Sequence, residues 1–149
     1  MQIISHSAEQ TEQIAKRIGK SLRGGEVIEL LSDLGGGKTT FTRGLAEGLN
    51  ITSVVSSPTF TISKEYSGGR LHLYHFDFYR LGESGLMGDE LAEILGDNGS
   101  VVVVEWAGIV QSVLPETRLR ITITATSEHD RTLEFTCPET LNYTLEGLK

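Results

Sequence analysis

The stretch that most constrains this chain runs from Val27 to Leu49, VIELLSDLGGGKTTFTRGLAEGL. Val27 to Leu31 is apolar except for Glu29 and long enough for a buried strand. A loop follows in which Gly35, Gly36 and Gly37 precede Lys38, Thr39 and Thr40. Phe41, Leu45 and Leu49 then recur every fourth residue, with Ala46 beside them, which is one face of a helix. Strand, glycine loop, Lys-Thr and helix is the order a phosphate cradle needs. Glycines let backbone N–H groups converge on phosphate oxygens, and the helix N-terminus adds partial positive charge. Lys38 reaches the outer phosphates, and the Thr39 hydroxyl ligates Mg²⁺. The pattern G-x-x-x-x-G-K-[ST] is met except at its first glycine, where Ser32 stands. Ser32 is compatible with the loop if its φ is negative. The plain alternative is a flexible strand-to-helix turn that contains a lysine.

Composition narrows the setting. The 149 residues suit one domain spanning 1–149, and 38% apolar with 22% charged residues describes an ordinary globular chain. No run approaches the ~18 apolar residues of a membrane span. MQIISHSAEQ has neither a basic nor an apolar leader region, so no secretory signal is expected. Cys137 is the only cysteine, which excludes an intrachain disulfide and reads as a small packing residue. These features point to the cytoplasm. The net charge of −7, from 13 basic and 20 acidic residues, argues against direct wrapping of nucleic acid. Any role on RNA would act through a partner.

From the start of the chain, Ser7 with Gln10 resembles a capping box. Ala8, Ile14, Ala15, Ile18 and Leu22 form a helical stripe ending at Gly24-Gly25. Thr11 lies in the first turn, where a solvated polar residue is the ordinary expectation. Pro58 makes Ser57-Pro58-Thr59 a shaped loop rather than a helix. Phe60–Tyr66 and Arg70–Tyr79 read as strands joined through Ser67-Gly68-Gly69. Parity in the second arm puts Leu71, Leu73, His75, Asp77 and Tyr79 on one face and His72, Tyr74, Phe76 and Phe78 on the other. Both faces therefore expect burial. A carboxylate there needs a partner. Arg80 would give Asp77 a structural ion pair; the functional alternative faces Asp77 toward a metal-bound phosphate or its attacking water. His75 suits packing or orientation rather than catalysis.

Leu91, Ile94 and Leu95 suggest a short helix. Val101-Val102-Val103-Val104-Glu105 describes a central strand with an acid at its C-terminal tip, the edge where open α/β sheets bind ligands. Glu105 would reach the Mg²⁺ held by Thr39, or else cap the following turn. Trp106 stacks on a base or a partner, or fills the core edge. Leu119–Thr124 and Thr132–Thr136 alternate as closing strands. Arg131, where their loop re-enters the sheet, is an ordinary surface arginine unless folding brings it to the nucleotide.

LGGGKTTFTRGL at 34–45, SPTF at 57–60, HFDFYRL at 75–81 and VVVVEW at 101–106 together resemble the TsaE (YjeE) family over nearly the whole length. That resemblance implies a P-loop NTPase-like α/β fold, a mixed central β-sheet flanked by helices. Gly35, Gly36, Gly37, Lys38, Thr39 and Thr40 would hold the phosphates of ATP, and Thr39 with Glu105 would bind Mg²⁺. Asp77 would be the acid needed for hydrolysis, with Lys38 stabilising the developing charge. Ser57, Pro58 and Thr59 would form a nucleotide-sensing switch, and Thr11, Trp106 and Arg131 would lie near the nucleotide. It further implies ATP-driven turnover of TsaB and TsaD, the pair that completes N6-threonylcarbamoyladenosine at position 37 of tRNA. Ser32 departs from the family's usual glycine.

Other readings make different demands. A GTPase wants N-K-x-D, which is absent, and the lone D-x-x-G lies at Asp33, inside the loop. A small-molecule kinase wants an arginine-bearing lid, and only Arg70 and Arg80 lie in the middle third. A non-hydrolysing assembly module would use ATP only to hold partners together.

Overall fold

The alternation and apolar runs of the sequence become seven strands and three α-helices among the residues described by a computed structural model, 1–33, 35–56, 63–79 and 85–149. In chain order these are β1 (Gln2–Ser5), α1 (Ala8–Ser21), β2 (Val27–Leu31), α2 (Lys38–Gly48), β3 (Ser63–Tyr66) and β4 (His72–Asp77). Then follow α3 (Gly85–Ile94), β5 (Ser100–Glu105), β6 (Leu119–Ala125) and β7 (Arg131–Thr136). One sheet holds all seven strands in the order β1-β7-β6-β2-β5-β4-β3. Its centre, β6-β2-β5-β4, is parallel, and the β1, β7 and β3 pairings are antiparallel. The carboxyl ends of the four central strands therefore share one edge.

Period-two alternation divides the core between the two faces of the sheet. Ile28, Leu30, Leu73, Val101 and Val103 pack with Ile14, Ile18, Phe41 and Leu45 of α1 and α2. On the other face, Val27, Phe76, Phe78, Val102 and Val104 pack with Leu91 of α3 and with Ala107, Val110 and Leu114. The split of Leu73 from Phe76 and Phe78 is the parity read from the sequence. Helices α1 and α2 touch backbone to backbone. A Cβ added to Gly44 would lie 2.4 Å from the Glu12 carbonyl oxygen, and one on Gly48 would lie 2.3 Å from that of Lys16. This approach sets the first turn of α1 beside the first turn of α2.

Several expectations need adjustment. Helix α1 ends at Ser21, before Gly24-Gly25, where Leu22 turns to extended backbone and the Arg70 guanidinium donates to the carbonyls of Gly19 and Leu22 at 2.9 and 2.7 Å. Ser7 caps α1 by accepting from Gln10 N at 3.0 Å. The reciprocal arm goes one residue further back, Gln10 Oε1 accepting from His6 N at 2.6 Å. Thr11 is buried rather than solvated, because β1 brings Ser5 within 2.7 Å of its hydroxyl. Strand β1 and the 3-10 helix Glu139–Leu148 were not expected from the sequence pattern. Trp106 follows β5 directly, at φ 55°. Leu34, the loop Ser57-Pro58-Thr59, the start of the hairpin at Phe60, and Arg80 as a partner for Asp77 lie outside the described residues.

Candidate functional site

The loop between β2 and α2 curls over its own first residue. Gly37 caps α2 at φ 107° and Gly35 lies at φ 75°, both in the left-handed region that favours glycine. A Cβ on Gly36 would come within 1.6 Å of Ser32 Oγ, so a side chain there would force Ser32 to move. Among described non-glycine residues only Asn50 and Trp106 have positive φ, so Ser32 keeps ordinary backbone geometry. The missing first glycine therefore introduces no backbone strain. Ser32 Oγ donates to the Asp33 carbonyl at 3.0 Å. Lys38 Nζ donates to the Ser32 and Asp33 carbonyls at 3.1 and 3.4 Å and stands 4.7 Å from the Trp106 ring centroid. Trp106 is partly buried, with the Tyr79 ring tilted against it at 4.8 Å.

Two acids face this loop from neighbouring strand ends. Asp77 and Glu105 are register partners across β4 and β5, so their side chains leave the sheet on the same face. Glu105 is 2% exposed; its Oε2 is hydrogen-bonded to His75 Nε2, and its Oε1 stands 3.9 Å from Lys38 Nζ. Asp77 Oδ1 accepts from Tyr79 N at 2.9 Å. Burial raises the Asp77 carboxyl above its ordinary value; the Tyr79 amide opposes this, and the Glu105 charge adds to the rise. A cleft of about 290 Å³ lies between, lined by Gly35, Gly36, Gly37, Lys38, Thr39, Thr40, Asp77, Glu105 and Trp106.

The donor chemistry fits magnesium. A hydroxyl on Thr39 and carboxylates on Asp77 and Glu105 are hard oxygen donors, and Mg²⁺ is usually held by one or two carboxylates with phosphate and water completing the octahedron. Among the described residues no cluster of three or more His, Cys, Asp or Glu side chains is arranged to hold an ion.

A smaller cleft of about 110 Å³ adjoins through Gly37 and Thr40 and is lined also by Ala8, Thr11, Glu128, His129 and Arg131. Arg131 Nε donates to the Gly36 carbonyl at 3.1 Å, and its Nη1 donates to the Asp130 carbonyl at 2.9 Å. Arg131 thus ties the β6–β7 loop to the glycine loop and is no ordinary surface arginine. The Thr11 hydroxyl is already engaged by Ser5 and by the Ser7 carbonyl, so Thr11 lines this cleft without a free donor. Every expected site residue among those described falls in one of the two adjoining clefts. The expected switch, Ser57, Pro58 and Thr59, lies outside the described residues. Tyr79, Glu128 and His129 were missed; short aromatic or polar residues near turns carry no periodic signal that marks them.

A four-stranded parallel centre, a glycine loop closing onto a helix N-terminus and acids at two adjacent strand tips define a P-loop NTPase-like fold. The chain belongs to the TsaE family: the family model described as "Threonylcarbamoyl adenosine biosynthesis protein TsaE" matches residues 5–133. A Bacillus subtilis protein named tRNA threonylcarbamoyladenosine biosynthesis protein TsaE is 48% identical over 86% of this chain and 80% of its own. A Streptomyces coelicolor relative of the same name is 40% identical over 91% of this chain and 89% of its own. The crystal structure of Bacillus subtilis YdiB superposes with a TM-score of 0.82 at 40% identity, covering 99% of this chain and 93% of that one. The family's role lies in threonylcarbamoyladenosine formation on tRNA. Among the described residues no helix is long and apolar enough to cross a membrane.

Proposed function

We propose that this chain is a Mg²⁺-dependent, single-domain cytoplasmic ATPase that drives turnover of the TsaB–TsaD pair in tRNA threonylcarbamoyladenosine synthesis. The observation that carries the reading is the register pairing of Asp77 with Glu105 opposite Lys38 and Thr39. The amides of Gly35 to Thr40 and the Lys38 ammonium would neutralise the phosphates, and Arg131 and Thr11 would border the nucleoside end. Lys38 would exchange its loop carbonyls for phosphate oxygens on binding. Thr39 and Glu105 would hold Mg²⁺, which when bound supplies further charge neutralisation at the β- and γ-phosphates.

In hydrolysis, a water oxygen bonds to the γ-phosphorus as the bond to the β,γ-bridging oxygen breaks, giving ADP and phosphate. Asp77 would orient that water by accepting one of its protons in a hydrogen bond. Trp106 would lie against the nucleotide, and the Ser57–Thr59 loop would sense occupancy. A partner would complete the site and accelerate a slow basal rate.

The test is ATP hydrolysis by the chain alone and with TsaB and TsaD, alongside pull-downs with and without ATP. Stimulation by the pair and nucleotide-dependent capture are expected. Rapid hydrolysis alone, with no effect of partners on rate or affinity, would overturn the reading. Asp77→Asn separates it from a non-hydrolysing module: retained ATP binding with lost tRNA modification supports turnover, and retained modification supports the module.

A further inference from the structure

We infer that His75 is a positioning residue for the metal-facing acid: it grips one oxygen of Glu105 and so aims the other at the phosphate loop. This assignment rests on the nucleotide reading above. His75 is 0% exposed, at the centre of β4. Its Nε2 is bonded to Glu105 Oε2, and because an ionised carboxylate only accepts, the imidazole is the donor. Its other nitrogen, Nδ1, has no hydrogen-bond partner among the described residues. An unpartnered ring nitrogen in a core is unfavourable, and an apolar side chain would pack there without that penalty. Among the described residues, the polar contact that explains a histidine at this place is Glu105.

The sheet register defines the direction of the grip. His75 pairs with Val103 and Asp77 with Glu105, so Glu105 reaches back along the strands to the imidazole. That fixes Oε2 in the core and leaves Oε1 as the oxygen near Lys38, 3.9 Å away. A carboxylate with one oxygen clamped has fewer orientations to lose when it takes up an ion. Partners that orient metal ligands in this way typically contribute about 10- to 100-fold to metal affinity.

The experiment measures ATP affinity by calorimetry in Mg²⁺ and in EDTA, for the full chain and for His75→Leu, His75→Asn and His75→Gln. The wild-type chain is expected to bind ATP more tightly with Mg²⁺. Leucine removes the donor and asparagine is too short to reach Glu105; both should lose about 10-fold of the Mg²⁺ gain while the EDTA value holds. Glutamine places an amide donor near the Nε2 position and should restore much of the gain. On a Glu105→Ala background, His75→Leu should remove nothing more. Asparagine, small and polar, carries the test if leucine does not fold. A full Mg²⁺ gain in both His75→Leu and His75→Asn, or equal weakening with and without Mg²⁺, overturns the assignment alone. A wild-type chain whose ATP binding ignores Mg²⁺ overturns the nucleotide reading and this assignment with it.

Discussion

Glu29 on β2 and Glu105 on β5 sit one register step apart on neighbouring strands, 3% and 2% exposed, on opposite faces of the sheet. Burial alone does not distinguish them; their partners do. Glu29 Oε1 accepts from Arg118 Nε at 3.0 Å and Arg120 Nε at 2.8 Å, and its Oε2 accepts from Gln111 Nε2 at 2.8 Å. Burial pushes its carboxyl up, but those hydrogen bonds outweigh the push and leave it below the ordinary range. Glu26, also buried, is similarly supplied by the Arg23 and Gly24 amides and the Tyr143 hydroxyl. Among the described residues, Glu105 has His75 on one oxygen and the more distant Lys38 on the other. A buried acid with both oxygens engaged holds the fold together. One whose second oxygen looks into a cleft is open to exchange its partner for a ligand.

The comparison makes a strong demand of Glu29. Glu29→Ala would strand Arg118, which is 9% exposed, without its counter-charge. Breaking a buried pair from one side costs about 3–5 kcal/mol, so the urea midpoint should fall steeply while ATP affinity of the folded protein holds. A midpoint within error of wild type would erase the distinction between the two acids.

At Glu105 the larger loss moves from fold to ligand. Glu105→Gln keeps an acceptor for His75, so stability should stay within about 1 kcal/mol. Affinity for ATP with Mg²⁺ should fall about 10- to 100-fold, and affinity in EDTA should not. Calorimetry with and without the ion reads both. Arg131 stands between these cases, since the partners described for it are loop carbonyls. Arg131→Ala should lower stability by about 1–2 kcal/mol and weaken ATP binding severalfold whether or not Mg²⁺ is present. Mg²⁺-specific weakening would instead place Arg131 with the metal-facing groups.

What the sequence made legible follows the same division between near and far. The strand, glycine loop and helix at 27–49 are local patterns, as is the acid ending Val101–Val104. The two-faced parity of His72–Phe78 needed only neighbours. The partners of Glu29 lie 82 to 91 residues away, so within its own strand it looked like the exception in an apolar run. Strand β1 is only four residues long, with Gln2 and Ile4 exposed and Ser5 buried, and pairs with β7 at the other end of the chain, which hid both the strand and the burial of Thr11. The close contact of α1 with α2 was written in Gly44-x-x-x-Gly48, but such spacing shows close approach only when the partner helix is known. Arg131 was named for the nucleotide by family likeness; its tie to the Gly36 carbonyl depends on a loop closure that no local pattern specifies.

Asp77 gives the smallest effect, and its sign is opposite to that of Glu29. Its carboxyl is raised, chiefly by burial, so the folded protein binds that proton more readily than the unfolded chain does. Ionisation of Asp77 therefore weakens the fold. The penalty is absent below the ordinary carboxylate value of about 4 and complete once pH exceeds the raised folded value. Asp77→Asn removes it, and should raise Tm at pH 7 by about 1–3 °C, with the gain vanishing below about pH 4. Glu29, with its lowered value, contributes stability that is present above its ordinary range and lost as pH falls through the folded value. Glu29→Gln should thus be less stable than wild type at pH 7, with the deficit shrinking in acid. Thermal unfolding of both variants across pH decides the matter: stabilisation by Asp77→Asn and destabilisation by Glu29→Gln at neutral pH would mark the first acid as held against the interest of the fold and the second as serving it. A drop in Tm for Asp77→Asn at pH 7 would instead make Asp77 a structural acid.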